Sequence, residues 1–193
     1  MKTSGVQYAV SRLKPSIALL LLAATVVVTG CSTMAESDNG LGYTPETREI
    51  SDAKKAAEGF SSELIDIIAL RGKLSEPGPG VSQCGEEDPE KFYAILHTWS
   101  LINVPVDDME KAMVRLNEDL PKRGWKVSKY GPDASPSKSL ELVANSKKKK
   151  FSVSVRLFDE TGRAKPDGPK SKIWVNLSSA CFQVPKGKTV DEY

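Results

Sequence analysis

Catalytic signatures are missing from this sequence: it has no G-x-S-x-G, no H-E-x-x-H, no G-x-x-x-x-G-K-S/T and no C-x-x-C. A nucleophile elbow, a zinc-protease helix, a phosphate-binding loop and a thioredoxin-like redox pair are thereby excluded. There is one histidine, His97, thirteen residues from Cys84 and far from Cys181, so no metal site and no cofactor are expected. Glu86, Glu87 and Asp88 are adjacent but lack the alternating oxygen spacing and turn glycine of a calcium loop, and read as a solvated acidic loop. No basic stripe interleaved with aromatics is present, so nucleic acid is not an expected partner. Asn176-Leu177-Ser178 matches a glycosylation triplet, but it falls in an expected strand and is discounted. A long hydrophobic run is lacking too. The apolar stretch 17–28 would reach about 18 Å as a helix, against a bilayer core of about 30 Å.

What is present begins with that stretch. Lys2, Arg12 and Lys14 precede it, and the small residues Thr29 and Gly30 follow it, which is the layout of an export signal. An ordinary secretory signal needs no cysteine after its small residues. Here Val28, Thr29, Gly30 and Cys31 resemble the lipobox of bacterial lipoproteins, with a non-cleaved signal anchor as the alternative. The resemblance implies removal of residues 1–30 and attachment of a diacylglyceryl group to the Cys31 sulfur. It implies a palmitate-type anchor in the cell membrane, on its extracytoplasmic face. Two chains matter because a single acyl chain binds a bilayer only marginally, each buried CH2 contributing about 0.8 kcal/mol. The leader carries three basic residues and no acidic one, so its loss turns a formal charge of +2 into about −1.

Residues 31–45 are rich in Ser, Asp, Asn, Gly and Pro and read as a flexible tether. One domain is expected over 46–185, with a polar tail over 186–193 and no internal repeat. Cys84 and Cys181 remain as an even pair, and in an oxidising compartment they are expected to form a disulfide. A metal site or a reactive thiol would be the competing uses.

The domain opens with a helical pattern. Thr44-Pro45-Glu46 supplies a start signal, Ile50, Ala53, Ala57, Phe60, Leu64, Ile67 and Ile68 make one stripe, and Arg71-Gly72 supplies a stop. "KFYAILHTWSLINV" reads as an interior strand containing His97. A lone histidine there is more often a packing residue than a catalyst. Asp107 and Glu110 have capping-box spacing ahead of a second stripe of Met109, Ala112, Met113, Leu116 and Leu120. Period-two patterns then mark strands at Trp125 and Val127, at Leu140, Leu142 and Ala144, at Phe151 through Leu157, and at Ile173 through Leu177. Cys181 shares the parity of the buried side of the last strand. The expected fold class is α+β, a two-layer sandwich of a mainly antiparallel five-stranded sheet with two amphipathic helices, in the order αβαββββ.

"CGEEDPEKFYAILHTWS", "KRGWKVSKYGPD" and "WVNLSSACF" resemble small actinobacterial cell-envelope lipoproteins. That resemblance implies location and fold and transfers no catalytic residue. Candidate binding residues are Trp174, which has the polar-face parity of Asn176 and Ser178, His97, and the basic turn Lys147, Lys148, Lys149 and Lys150. A non-enzymatic binding or envelope-assembly accessory is expected, with an envelope protein or a small ligand as partner. The alternative is a small-molecule or lipid carrier with a pocket between helix and sheet. A hydrolase built on His97 and a nearby serine or carboxylate is a third reading.

Overall fold

The computed structural model describes residues 41–190 apart from 76, 86, 164–167 and 169. The leader, Cys31, most of the expected tether, Glu86 and the last three residues of the tail lie outside the described residues. The described chain is a mixed α+β domain with two helices and a nine-stranded, mostly antiparallel sheet. Its elements are β1 (Glu46–Thr47), α1 (Ile50–Ile68), β2 (Lys73–Leu74), β3 (Gly80–Ser82), β4 (Phe92–Ile102) and α2 (Val106–Asp119), followed by β5 (Lys126–Pro132), β6 (Leu140–Ser146), β7 (Phe151–Phe158), β8 (Lys172–Ser179) and β9 (Phe182–Gln183). The strands run β1-β9-β4-β8-β7-β6-β5, and β2 and β3 also pair with β4. The count is nine where five were expected. The additional strands, β1, β2, β3 and β9, are two or three residues long, and three of them pair with β4.

The stripe of α1 buries Ile50, Ala53, Ala57, Leu64, Ile67 and Ile68, with Ser61 among them. Both expected ends of this helix are corrected. Glu46 and Thr47 are taken by parallel pairing with Phe182 and Gln183, and the Arg48 amide donates to the Gln183 carbonyl at 2.9 Å, so the helix starts at Ile50 with Glu49 as its cap. At the other end Ala69, not Gly72, takes the left-handed conformation, with φ 50°. The cation that serves the last carbonyls comes from α2, where the Arg115 guanidinium donates to Ile67 O and Ile68 O. Gly72 is required for another reason: a Cβ there would stand 2.5 Å from Ile102 O and 2.6 Å from Val104 Cγ2.

Helix α2 buries Met109, Ala112, Met113 and Leu116, and Leu120 just beyond it is buried too. The expected capping box does not form: the cap is Pro105, and Asp107 and Asp108 lie in the first turn, near the positive end of the helix dipole. Inward residues of the sheet alternate along Tyr93, Ile95, Trp99 and Leu101 of β4, Phe151, Val153, Val155 and Leu157 of β7, and Ile173, Val175 and Leu177 of β8. They form one core cluster with the two helical stripes. The helices touch each other, α1 lies over β4 and β8, and α2 lies over β7 and β8. Ser100, Ser154, Trp174 and Asn176 have the opposite parity and stay partly exposed. Strand β5 borders the sheet. It is guarded by a bulge between Val127 and Lys129, by lysines and by Pro132.

The disulfide joins Cys84 to Cys181, with the two Cα atoms 5.8 Å apart. Its strand parity was misjudged. Two residues separate β8 from β9, the alternation slips by one, and Phe182 is buried while Cys181 is only half-buried. The bridge therefore ties the loop after β3 to the break between β8 and β9. Beyond β9 the chain stays attached: the Val190 amide donates to Glu90 O at 2.9 Å, and the Lys188 ammonium pairs with Glu49 at 2.8 Å.

Candidate functional site

A cleft of about 260 Å³ opens between α1, the segment linking β2 to β3, and β4. Glu58, Ser61, Ser62, Ser75 and His97 give it a polar mouth, and Ile65, Leu74 and Trp99 continue into a second recess of about 180 Å³. That recess is lined further by Ile68, Leu70, Leu101 and the exposed Arg71. Its wall depends on Gly72, because a side chain there would collide with the neighbouring strand end.

The mouth is ordered by a chain of hydrogen bonds. The Pro77 carbonyl, 3.0 Å from His97 Nε2, can only accept, so Nε2 carries the proton. In the neutral imidazole Nδ1 is then the acceptor of the Ser61 hydroxyl, 2.9 Å away. Trp99 Nε1 in turn donates to Ser61 Oγ at 3.2 Å. Each member is satisfied, which explains how a serine can lie in the apolar stripe of α1 at 3% exposure. The histidine also fastens the β2–β3 segment, which is held further by the Ser75 amide donating to Ser100 O and the Ser100 amide donating to Ser75 Oγ.

The basic turn divides into two kinds of lysine. Lys149 folds back onto α1, with its ammonium 2.9 Å from Glu63 Oε2 and above the rings of Phe60 and Trp125 at 4.6 and 5.1 Å. Trp125 Nε1 completes this cluster by donating to Glu63 Oε1 at 3.3 Å. Lys147, Lys148 and Lys150 are exposed. Lys147 and Lys150 line an open recess of about 580 Å³ with Tyr43, Ser146, Phe151, Ser152 and Ser179.

Trp174 is half-buried on the sheet face that carries neither helix, in register with Ser100 on one side and Arg156 on the other. It is not part of the cleft. The same face holds a charged cluster on β5, β6 and β7. Glu141 accepts from Lys129 at 2.5 Å and from Arg156 at 2.8 Å, although only 6% of it is exposed. The Lys129 hydrogen bond, helped by Arg156, holds the Glu141 carboxyl below the usual carboxylate range despite the opposing cost of burial. Asp133 is lowered too, first by the Ser135 hydroxyl and amide, with Arg156 beside it. Among the described residues no group of three or more His, Cys, Asp or Glu side chains is placed to hold a metal ion.

Of the candidates read from sequence, His97 lines a cleft, Lys147 and Lys150 line the separate recess at the basic turn, and Trp174 stands apart on the open face. Ser61, Trp99, Glu58 and Glu63 were missed. Ser61 left a signal, since it follows Ala57 by four and precedes Leu64 by three, placing a hydroxyl in an otherwise apolar stripe. No family model, curated protein or solved structure matches the chain.

Proposed function

We propose that this chain is a membrane-anchored, extracytoplasmic lipoprotein whose domain binds a small amphipathic molecule without transforming it. The observation that carries the binding role is the cleft between α1 and β4, with polar groups at Glu58, Ser62 and His97 and, in the adjoining recess, the apolar Ile68, Leu70 and Leu101 beside Arg71. A ligand with an aliphatic tail and a hydrogen-bonding head would match both ends. The five long strands and two helices are taken as a two-layer αβαββββ frame that carries this cleft. The anchored location is drawn from residues 17–31 and from the resemblance to actinobacterial cell-envelope lipoproteins.

The ligand reading is tested with 11-(dansylamino)undecanoic acid as a probe. Saturable binding is expected, and Ile65→Trp, which fills the cleft, should weaken it roughly tenfold or more, the scale of losing a few apolar contacts. Binding that is absent, or equal in the filled variant, would overturn it. The anchor is tested by metabolic labelling with a fatty acid: Cys31→Ser should lose the label.

A second reading is favoured by Trp174, an aromatic side chain on a rigid strand whose face neither helix covers. There it would anchor an envelope-assembly partner. Site-specific photocrosslinking from position 176 in cells distinguishes the two, since a cleft ligand would leave that face uncrosslinked.

A further inference from the structure

We propose that the recess at the basic turn is a docking surface for the phosphate-bearing headgroups of an anionic membrane. Three of the four lysines point outward while the fourth fixes the turn. Lys149 is held by Glu63 and by the faces of Phe60 and Trp125. With the turn pinned, Lys147 and Lys150 stand at the rim of the recess. No carboxylate lines it; Ser146 and Ser179 already donate to Gly124 O and Ala180 O, so the hydroxyls left to donate are that of Tyr43, whose oxygen only accepts from the Cys181 amide, and that of Ser152, which shares a hydrogen bond with Ser178. A cationic rim with hydroxyl donors is the chemistry that receives phosphate oxygens.

Two observations favour a lipid surface over a free anion. The floor of the recess is apolar, made by Phe151 and Ala180 with the Tyr43 ring, and this suits the glycerol and first methylenes beneath a headgroup. Phe151 is itself packed against Phe60 and Phe182, at 5.1 and 6.3 Å between ring centroids, so the floor is rigid. Tyr43 also lies near the start of the described chain, and its hydroxyl accepts from the Cys181 amide at 3.0 Å. The N-terminal end of the described chain therefore lies beside these lysines. An anchor ahead of that end would bring the basic rim to the bilayer.

Three lysines near an anionic surface should raise membrane affinity by roughly two orders of magnitude at moderate salt, and high salt should remove the gain. The proposal rests on the anchored reading for its orientation, and its test separates the two. The full chain is reconstituted in nanodiscs of phosphatidylcholine, or of phosphatidylcholine with 30% phosphatidylglycerol, and lysine acetylation by a water-soluble active ester is followed by mass spectrometry. Lys147, Lys148 and Lys150 should be labelled at least fivefold more slowly with phosphatidylglycerol, while the exposed Lys55 and Lys111 on the helices keep their rates. Added 0.5 M sodium chloride should abolish the difference. Equal rates in the two membranes, or slowing shared by Lys55 and Lys111, would refute the docking surface. Equal slowing by 10 mM inorganic phosphate in phosphatidylcholine discs would make the recess a free-anion site and refute it as well. A chain that fails to stay with the discs sinks the anchor alone. Flotation with phosphatidylglycerol vesicles then decides docking: it should occur, and should be lost in the Lys147→Gln, Lys148→Gln, Lys150→Gln triple variant. The triple variant leaves Lys149 in place, so its melting should be unchanged.

Discussion

Replacing both Cys84 and Cys181 by alanine tests how the edge of the sheet is held. The bridge spans 97 positions, and cross-linking a loop of that length removes about 4.7 kcal/mol of chain entropy from the unfolded state. A domain of about 150 residues unfolds with an entropy of roughly 0.3 kcal/mol per kelvin, so losing the bridge should lower the melting temperature by roughly 10–15 °C. Alanine is chosen because Cys84 is 3% exposed, and serine there would add a buried hydroxyl. The assay is a circular-dichroism melt of the purified, oxidised protein with and without reductant, beside the double variant. Reduced wild type and double variant should melt together. The loss should also be local: β3 has three exposed residues and pairs with β4 alone, so the amides of β3 (Gly80–Ser82) should lose hydrogen-exchange protection before those of β7. A shift below about 3 °C would refute the reasoning, because it would mean that the 97-residue loop is already restrained without the bond.

Gly72→Ala should destabilise by about 1–3 kcal/mol, since the new Cβ meets a backbone carbonyl that cannot give way. Ala69→Gly should stabilise by about 1 kcal/mol by relieving the left-handed cap, and both are read as melting shifts of opposite sign. Glu141 has a folded pKa held below its unfolded value, so its contribution is present above the ordinary carboxylate range and is lost as pH falls through the folded value. Acid titration below about pH 4 should therefore show a steeper stability loss in wild type than in Glu141→Gln; parallel curves would contradict the assignment. His97→Gln should weaken probe binding in the cleft by several-fold while leaving any Trp174-dependent crosslink intact, and Trp174→Ala should do the reverse, costing about 2 kcal/mol in partner affinity. A hydrolytic activity that vanished only with His97 would overturn the binding reading.

The long elements were legible because each repeats a period against the core. The stripe over Ile50, Ala53, Ala57 and Leu64 and the alternation over Phe151, Val153, Val155 and Leu157 carry enough residues to fix a face. The short strands carry no such record. Those in β1 and β3 are wholly exposed, and their strand character comes from the partners they meet, so nothing local announces it. Thr44-Pro45-Glu46 has the chemistry of a helix start, yet pairing with β9 claims Glu46 and Thr47 and delays the helix to Ile50. Parity placed Trp174 correctly because β8 is unbroken around it, and misplaced Cys181 because the alternation slips between Ser179 and Phe182. The site was half-legible for a related reason. His97 is conspicuous as a lone histidine, whereas its partner Ser61 lies 36 positions away and meets it only through the packing of α1 on β4.

That meeting of Ser61 and His97 is where a hydrolase reading would begin, and the hydrogen bonds around it fit the proposed binding role better. A serine nucleophile needs an oxygen free to reach a substrate carbonyl and a base whose far nitrogen is steadied by a group that stabilises positive charge. Ser61 Oγ already accepts the Trp99 N–H, lies in the interior of α1 and is 3% exposed. His97 Nε2–H is held by the Pro77 carbonyl, a weaker partner for an imidazolium than a carboxylate. The same contacts do suit a cleft. They fix the imidazole in one tautomer, fasten the β2–β3 segment to β4, and leave Glu58 and Ser62 at the rim to meet a polar head. Helix α1 positions both sites through residues two apart, Ser61 toward the cleft and Glu63 toward Lys149. Glu63→Gln should therefore loosen the basic turn and lower stability while sparing the cleft, and Ser61→Ala should weaken probe binding while sparing the turn. If either substitution disturbed both sites equally, α1 would have to be treated as a single structural unit and not as the mount for two separate ones.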